Sequence, residues 1–381
     1  RSSLSVSLWI ASSGKGRVDF SGMTILPRSS EEVAVAVCGS SHVLAIGGRT
    51  KPALTMSHEG DFIDLSGMTG IVEYEPSEYV FSAKAGTPIE KVQATLRENG
   101  QYMPFDPPFA DEGSTLGGMV AAGLNGPGRL RFGGIRDFLI GVTFVDGRGR
   151  LIKGGGKVVK NAAGFDFPKF LVGSLGSFGI LTEVSFKVFP EPRKFLTLRL
   201  SSGNLETGIE KVRCVAGSPW EPDGMELNSS GDIFLRIGGA ETALPKRADR
   251  ILLELGCSGE LFSTDEADKF WRNANSFGWA SPDAILAKVP VTPNRIIELD
   301  EFLSSFGATR RYGVACNVAW VAWPPGCTVT ELDLGLRMRG LRGLVFRGQV
   351  ESVYLGKWTD GAITKAVKSA FDPDHKFASI P

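Results

Sequence analysis

The stretch Lys160–Pro190 constrains the fold more than any other, because three glycines precede a clear β-strand there. Gly173, Gly176 and Gly179 recur every third residue, and from Thr182 to Val188 apolar side chains alternate with polar ones. That period of two is typical of a strand with one buried face and one wet face. Glycines directly before such a strand let the main chain turn sharply or let another group approach it closely. A bound ligand is the natural candidate.

Two further glycine clusters lie beside strand-like runs, at Gly47–Lys51 and Gly113–Gly128. The sequence holds 48 glycines in 381 residues, well above the usual ~7%, and their concentration in short clusters favours ligand loops over a low-complexity tract. Gly47–Lys51 follows the short apolar run His42–Ile46. Successive amides of such a turn form a concave nest for an anion, to which Arg49 or Lys51 would add charge. An ordinary surface turn is the alternative interpretation.

The second cluster contains a predicted helix that Thr115 caps and that runs through Met119 to Ala122. Gly117 and Gly118 fall in its first turn. A helix start offers unpaired amides and a positive dipole end, which suit a phosphate or an electron-rich ring edge. This segment is therefore predicted to lie against a ligand.

Several motifs together resemble a known family. They are GGRTK at 47–51, DLSGM at 64–68, TLGGMVAAGL at 115–124, RDFLIG at 136–141, KNAAGFD at 160–166 and GSLGSFGILTEVSFKV at 173–188. In this order they resemble the FAD-binding domain of the vanillyl-alcohol oxidase (PCMH) type and, within that superfamily, the FAD-binding E subunits of glycolate oxidase. The resemblance is dense in the first half of the chain and loose in the second.

The resemblance implies a set of FAD contacts. The pyrophosphate loop would be Gly47, Gly48, Arg49, Thr50 and Lys51, with Arg49 standing where a small residue is expected. The segment along the flavin would include Pro108, Ser114, Thr115, Leu116, Gly117, Gly118, Ala121 and Gly123, and the later loop would include Gly176, Gly179 and Ile180 near the adenine end. No histidine lies in the glycine loops, so FAD is expected to be bound without a covalent link.

Two arginines and a turn are also implied to border the cofactor. By the resemblance, Arg129 and Arg131 lie beside the flavin, where a cation near N1 and the C2 carbonyl stabilises the reduced ring. The alternative is that both arginines are simply solvated, which for Arg129 is an equally open interpretation. Asn161, Gly164 and Asp166 would shape the turn before Gly173–Gly179, although Asn161 and Asp166 fit equally well as turn formers that bond their own backbone.

The length and the pattern of the second half predict the domain organisation. A chain of 381 residues exceeds the size at which one core usually keeps growing. Pro190 and Pro192 are the predicted boundary, after which strands and helices alternate without a glycine-rich loop, as in an antiparallel sheet with helices on one face. The predicted class is α+β: a PCMH-type FAD-binding domain at 1–193, an α+β cap domain at 194–355, and a helix and tail at 356–381 that return to the first domain.

Composition and motifs exclude several other functions. The 42 basic and 42 acidic side chains balance, and no basic block would track a phosphate backbone, so nucleic acid is not an expected partner. The five cysteines form no C-x-x-C pair, which argues against a zinc or iron–sulfur site in this chain. No Rossmann, P-loop or nucleophile-elbow motif occurs. No apolar run approaches the ~20 residues of a membrane span and no signal peptide is recognised, so a cytoplasmic location is expected, with membrane association only through partners.

The histidines are too few for the chemistry of the catalytic relatives. Catalytic 2-hydroxy acid dehydrogenases of the resembled superfamily carry an H-x-G-D-G-N-x-H motif in the cap, whereas His42, His58 and His375 all lie outside the predicted cap. No base that would take the substrate proton is assigned. Arg310 and Arg311 would clamp a carboxylate or are simply paired surface arginines.

The resemblance therefore implies an FAD-binding subunit of a glycolate (2-hydroxy acid) oxidase or dehydrogenase complex. Its implied partners are a catalytic flavoprotein subunit, an iron–sulfur subunit and a small 2-hydroxy acid substrate. One alternative is a self-sufficient FAD-linked oxidase or dehydrogenase of a small hydroxy acid or alcohol. The other is a scaffold subunit that has kept the fold and lost the flavin.

Overall fold

The computed structural model describes residues 22–55, 59–156, 165–359 and 361–380. The predicted edge segment before Val18, His58, and the turn residues Asn161 and Gly164 lie outside these ranges, so the structure does not bear on them.

Among the described residues, the first half of the chain forms short helices and strands in a three-stranded, a five-stranded and a two-stranded sheet. Its strands are β1 (Thr24–Ile25), β2 (Val43–Ile46), β3 (Asp61–Asp64), β4 (Ile71–Glu75), β5 (Val80–Lys84), β6 (Gln101–Tyr102), β7 (Leu139–Val145), β8 (Leu151–Gly155), β9 (Ile180–Lys187) and β10 (Phe189–Pro190). Its helices are α1 (Ser30–Gly39), α2 (Ile89–Arg97), α3 (Leu116–Ala122), α4 (Arg129–Phe132), α5 (Ile135–Phe138) and α6 (Phe167–Leu171). Short 3₁₀ turns lie at Pro52–Thr55, Leu65–Gly67, Pro76–Glu78 and Ala110–Glu112.

The sequence predicts one pairing among these strands, a hairpin in which Ile140–Val145 and Arg150–Lys153 alternate across Asp146 and Gly147. Among the described residues, β1, β3 and β2 form a parallel sheet in that order. An antiparallel sheet has the order β4-β5-β9-β7-β8, in which the predicted hairpin joins β7 to β8 and β9 lies centrally. The apolar residues of β9 are buried and Lys187 is exposed, so the strand predicted from its period of two is confirmed.

The helix starts are set by capping, and one predicted cap is wrong. The spacing of Ser29 and Glu32 predicts a capping box at the start of α1, and the Ser29 side chain accepts from the Glu32 amide there at 3.2 Å. The spacing of Thr87 and Glu90 predicts a second capping box, with Thr87 opening α2. Instead, Pro88 holds the cap position without a side-chain bond, and Thr87 Oγ1 donates to the carbonyl of Lys84 at 2.6 Å. The same hydroxyl accepts from the Gly70 amide at 3.0 Å, so its bonds go to segments that precede the helix.

The second half forms a larger antiparallel sheet with helices. Its strands are β11 (Lys194–Leu200), β12 (Gly224–Asn228), β13 (Ile233–Gly239), β14 (Gly259–Leu261), β15 (Ile285–Pro290), β16 (Thr309–Gly313), β17 (Val318–Trp323), β18 (Arg342–Arg347) and β19 (Tyr354–Gly356). Its helices are α7 (Leu205–Ala216), α8 (Leu244–Leu255), α9 (Thr264–Ser276), α10 (Ile296–Ser305), α11 (Val329–Met338) and α12 (Ala362–Phe371), with a 3₁₀ turn at Pro293–Arg295. Within the described ranges the order of the nine strands is β14-β11-β13-β12-β16-β17-β15-β18-β19. The α+β class is thereby confirmed.

The faces of this nine-stranded sheet differ. Helices α7, α8, α10 and α11 pack on one face and bury the main core of this half. Helix α9 was expected on the same face but lies on the other, where Trp271 Nε1 donates to Thr197 Oγ1 at 2.9 Å. A further apolar cluster on that second face, which includes Phe277, Trp320 and Phe346, also receives Phe109 from the first half. The second face therefore looks toward the glycine loops.

One predicted strand is wrong. The apolar run Val314–Val321 predicts a single strand, but β16 ends at Gly313 and β17 begins at Val318. Val314, Ala315 and Cys316 have left-handed φ angles of 53°, 50° and 64°. Asn317 stabilises this turn, because its side-chain amide donates to the carbonyls of Val314 and Ala315 at 2.9 and 3.1 Å. An apolar composition does not reveal such a turn.

The last helix packs back on the first half of the chain. Val367 and Phe371 of α12, together with Phe377 and Ile380, contact the core formed by β5, β7 and β9. In the ranges that the structure covers, no helix is long and apolar enough to cross a membrane.

Candidate functional site

The three glycine clusters meet at one groove. The predicted site residues that line it are Gly47, Gly48, Arg49, Thr50, Lys51, Ser114, Thr115, Gly117, Gly118, Ala121, Gly176, Gly179 and Ile180. The groove encloses about 830 Å³, its open mouth included. Segments about 65 residues apart in sequence are thus brought to one concave surface.

The glycines of the first cluster are required by the packing of one loop on another. A Cβ on Gly47 would lie 2.4 Å from Thr115 Oγ1, and one on Gly48 would lie 1.8 Å from the carbonyl oxygen of Gly113. Both distances are shorter than any van der Waals contact. The loop Gly47–Lys51 can therefore lie against the Gly113–Thr115 segment only if its first two residues lack side chains.

The main-chain amides of the groove divide into free and occupied ones. Among the described residues, the amides of Gly48, Arg49 and Thr50 have no hydrogen-bond acceptor. The first amides of α3 are occupied, because Gly117 donates to the carbonyl of Ala85 at 2.7 Å and Gly118 donates to Thr115 Oγ1 at 3.3 Å. The prediction of free amides at this helix start is therefore wrong, and the amides free for an anion are those of the first loop.

Lys51 places a cation in the groove wall. Its Nζ donates to Thr50 Oγ1 at 2.9 Å and to Ser114 Oγ at 3.1 Å, and it lies 5.6 Å from the ring centre of Phe109. Burial lowers the pKa of Lys51 to about 8, although Glu112 acts in the opposite direction. Both hydrogen-bond partners are neutral hydroxyls, so this ammonium remains available to an anionic ligand.

Arg49 contributes differently from Lys51. Its main-chain φ of 52° is left-handed, which is uncommon for residues other than glycine. It is exposed, and its Nη2 lies 3.5 Å from Asp64 Oδ2. The main chain of Arg49 thus follows the path that a small residue would favour, and its guanidinium is held at the groove mouth by a weak surface ion pair.

The opposite wall is the loop Gly173–Gly179. Ser174, Leu175, Gly176 and Gly179 line the groove. Gly173, Leu175 and Gly176 have left-handed φ angles of 79°, 51° and 78°. Helix α3 holds this loop, because the amides of Gly173 and Leu175 donate to the carbonyls of Val120 and Ala121, each at 2.9 Å. The turn residue Asp166, in contrast, caps α6 by accepting from the Lys169 amide at 3.2 Å.

Five predicted site residues do not line the groove. Leu116 is fully buried in the core and Pro108 is buried beside Phe109. Gly123 ends α3 with a φ of 62°, and its carbonyl accepts from Lys288 Nζ of β15 at 3.3 Å. Arg131 joins the two halves of the chain, since its Nη1 lies 2.8 Å from Asp223 Oδ1.

Arg129 is exposed, as its solvated reading predicts. It belongs to the surroundings of Lys288, because burial and the nearby Arg129 and Arg342 lower the pKa of Lys288 to about 8. Arg129 and Lys288 thus form a cationic region beside the C-terminal end of α3.

The apolar part of the groove was not predicted. It is formed by Leu44, Ala45, Ile46, Leu54, Leu65, Ala122, Leu175 and Leu181, and the hydroxyl residues Thr55 and Ser174 complete the lining. Several of these belong to β2 and β9, the strands that lead into the glycine loops. Because their side chains read as ordinary core residues, the only signal in the sequence is their position beside a glycine cluster.

The paired arginines of the second half separate onto the two faces of the sheet. Arg310 forms a bidentate pair with Asp300 of α10, with Nε–Oδ1 at 2.6 Å and Nη2–Oδ2 at 2.5 Å. Arg311 points to the other face and lies 3.5 Å from Glu226, a buried carboxylate whose pKa is raised by burial. Both guanidiniums are already paired, so the reading of Arg310 and Arg311 as one carboxylate clamp is wrong.

Comparisons with known proteins agree with this geometry. Residues 22–155 match the family model described as an FAD binding domain. The chain is 41% identical over 246 residues to glycolate oxidase subunit GlcE of Escherichia coli (strain K12). This match covers 64% of this chain and 66% of that protein. The chain is also 27% identical over 235 residues to glycolate oxidase subunit GlcD of Bacillus subtilis (strain 168). That match covers 60% of this chain and 50% of the relative. Each match spans less than two thirds of the relative.

A solved structure of alkyldihydroxyacetonephosphate synthase superposes on this chain with a TM-score of 0.69 at 15% identity. The superposition covers 92% of this chain and 76% of that one. At this identity the likeness shows a common fold for both halves of the chain.

Proposed function

We propose that the groove binds FAD and that the chain is the FAD-binding subunit of a glycolate (2-hydroxy acid) oxidase or dehydrogenase complex, because residues 22–155 match the family model described as an FAD binding domain. The proposal rests on the match to glycolate oxidase subunit GlcE and on the chemistry of the groove. FAD, when bound, supplies the electron-accepting ring. The protein supplies the groove that holds it.

The observation that carries the proposal is the pairing of free amides with the buried ammonium of Lys51, whose hydrogen-bond partners are neutral hydroxyls. The pyrophosphate of FAD would lie against the amides of Gly48, Arg49 and Thr50, within reach of Lys51 Nζ. Such an arrangement suits a dianionic group, because several weak donors and one ammonium share its charge. The apolar wall that includes Leu44, Leu54 and Leu181 then suits the flat, largely apolar rings of the nucleotide.

We propose the same division of the chain as the sequence predicts. Residues 1–193 would be the FAD-binding domain, 194–355 the cap over the flavin, and 356–381 the segment that returns to the first domain. The partners would be a catalytic flavoprotein subunit and an iron–sulfur subunit. In this arrangement the groove would hold the FAD that takes part in electron transfer from the 2-hydroxy acid to a downstream acceptor.

Two measurements test the proposal. The purified chain is expected to show the absorption of oxidised flavin and to release FAD on denaturation, whereas a colourless chain that takes up no FAD would support the scaffold alternative. Co-expression with the two partner subunits is expected to give glycolate-dependent reduction of a dye. Bleaching of the isolated chain by glycolate or D-lactate would instead indicate a self-sufficient dehydrogenase.

A further inference from the structure

The loop Gly173–Gly179 faces the groove on one side and a buried lysine on the other. Ser174, Leu175, Gly176 and Gly179 line the groove, but Ser177 does not. Ser177 is fully buried and its carbonyl points away, where it accepts from Lys368 Nζ at 2.7 Å. The loop is thus bonded to α3 in front and to α12 behind.

Lys368 has all of its donors occupied. It is 6% exposed, and its Nζ also donates to Asp372 Oδ2 at 2.5 Å and to the carbonyl of Phe377 at 3.2 Å. An ammonium has three N–H donors, and here each has one acceptor. Asp372, which is also fully buried, accepts in addition from the Phe377 amide at 2.9 Å. The position of Lys368 Nζ is therefore fixed from every side.

The same segment also contacts the chain that leads to the first glycine loop. The carbonyl of Lys376 accepts from the Val43 amide at 2.8 Å, at the start of β2. Lys376 Nζ donates to the carbonyl of Val37 at 2.7 Å, at the end of α1. We name Lys368, Asp372 and Lys376 the C-terminal clamp. It contacts the segments that supply both glycine walls of the groove.

We propose that Lys368 is a positioning residue for FAD: by holding the Ser177 carbonyl it keeps the left-handed loop Gly173–Gly179 in the conformation that faces the cofactor. This inference rests on the proposed function of the groove. A buried ion pair contributes little to stability compared with apolar side chains of the same size, but it does select one geometry. Leu175 needs such support, since its φ of 51° is left-handed and strained for a residue with a branched side chain.

The variant Lys368→Met removes the bond to Ser177 and keeps the length of the side chain. Arg310→Met is the matched control, because it breaks the buried pair with Asp300, which lies on the helix-covered face of the nine-stranded sheet. We expect the Kd for FAD to rise about tenfold in Lys368→Met, equivalent to ~1.4 kcal/mol, and to stay within twofold in Arg310→Met. Amide exchange at 174–179 in the FAD-free chain should be faster only in Lys368→Met.

A second variant guards against loss of folding. Lys368→Met combined with Asp372→Asn removes the unpaired carboxylate and should still weaken FAD binding. Unchanged FAD affinity and unchanged exchange at 174–179 in a folded Lys368 variant would overturn the proposal, as would an equal loss of affinity in Arg310→Met. If the wild-type chain binds no FAD, the proposed function fails, and the exchange measurement still decides whether Lys368 holds the loop.

Discussion

Lys51 allows a prediction in which stability and cofactor binding change in opposite directions. Its pKa falls from the ordinary 10.5 to about 8 because the ammonium is buried without a carboxylate in contact. Each pH unit of such a difference corresponds to ~1.36 kcal/mol, so holding this charge costs the FAD-free fold about 3 kcal/mol. Lys51→Met removes the charge and keeps the apolar stem. We therefore expect the FAD-free variant to be more stable than the wild type at pH 7, by up to about 3 kcal/mol.

The sign of the pH dependence follows from the same pKa. Between about pH 8 and pH 10.5 the unfolded chain binds more protons at Lys51 than the folded chain does, so the stability of the FAD-free wild type should rise with pH in this window. Below about pH 8 the full cost of the buried charge is present. In Lys51→Met this contribution to the rise should be absent. Urea unfolding of both FAD-free chains at pH 7 and pH 9 measures the difference.

FAD binding should respond in the opposite way. A hydrogen bond to a charged group contributes about 1.5–3 kcal/mol, so Lys51→Met should weaken FAD binding roughly 10- to 140-fold at pH 7. Wild-type affinity should fall above about pH 8 as Lys51 loses its proton, whereas Lys51→Arg, which stays charged, should not show this fall. A Lys51→Met chain that is no more stable than the wild type and binds FAD equally well would refute the reasoning.

Three further predictions concern packing, the arginines and the thiols. Gly48→Ala should abolish FAD binding in titrations, because its Cβ would lie 1.8 Å from the Gly113 carbonyl; wild-type affinity would show that the loop moves freely. Arg131→Met should lower the free energy of unfolding by up to about 3 kcal/mol, since it removes the ion-pair partner of the buried Asp223. The same variant should keep the Kd for FAD within twofold. A larger change in Kd would indicate that Arg131 contacts the flavin. Cys38 and Cys214 are exposed and should react with a thiol reagent in the folded chain. Cys316 is buried, which raises its pKa to about 12, and it should react only after unfolding. Labelling of Cys316 in the folded chain would contradict the described turn.

The sequence predicted the groove well where glycine carries the signal. Gly47, Gly48 and Gly179 are needed for close approach of the main chain, and such needs leave a visible trace in composition. The strands next to them were equally visible, because β9 alternates residue by residue. Local capping at Ser29 and Thr115 was predicted for the same reason, since all the groups involved lie within four residues.

The features of the site that could not be predicted depend on contacts between residues that are far apart in the sequence. The sequence suggests Arg131 as a ligand contact, but in the structure it pairs with Asp223. Arg310 and Arg311 are adjacent in sequence, but successive residues of a strand point to opposite faces, so they pair with different carboxylates. Likewise, whether the α3 amides are free depends on the carbonyl of Ala85. Neither composition nor hydrophobic periodicity predicts these contacts, because each one depends on the packing of segments that are far apart in the sequence.

The C-terminal clamp has a consequence for the order of events during synthesis. Val43 and Ser177 are bonded to residues made some two to three hundred positions later. A nascent chain can form the glycine turns early, but the rear support of the loop arrives only once residues 362–377 have left the ribosome. Tight loading of the cofactor should therefore be a late step in maturation, and a chain stalled before α12 should exchange its nucleotide quickly.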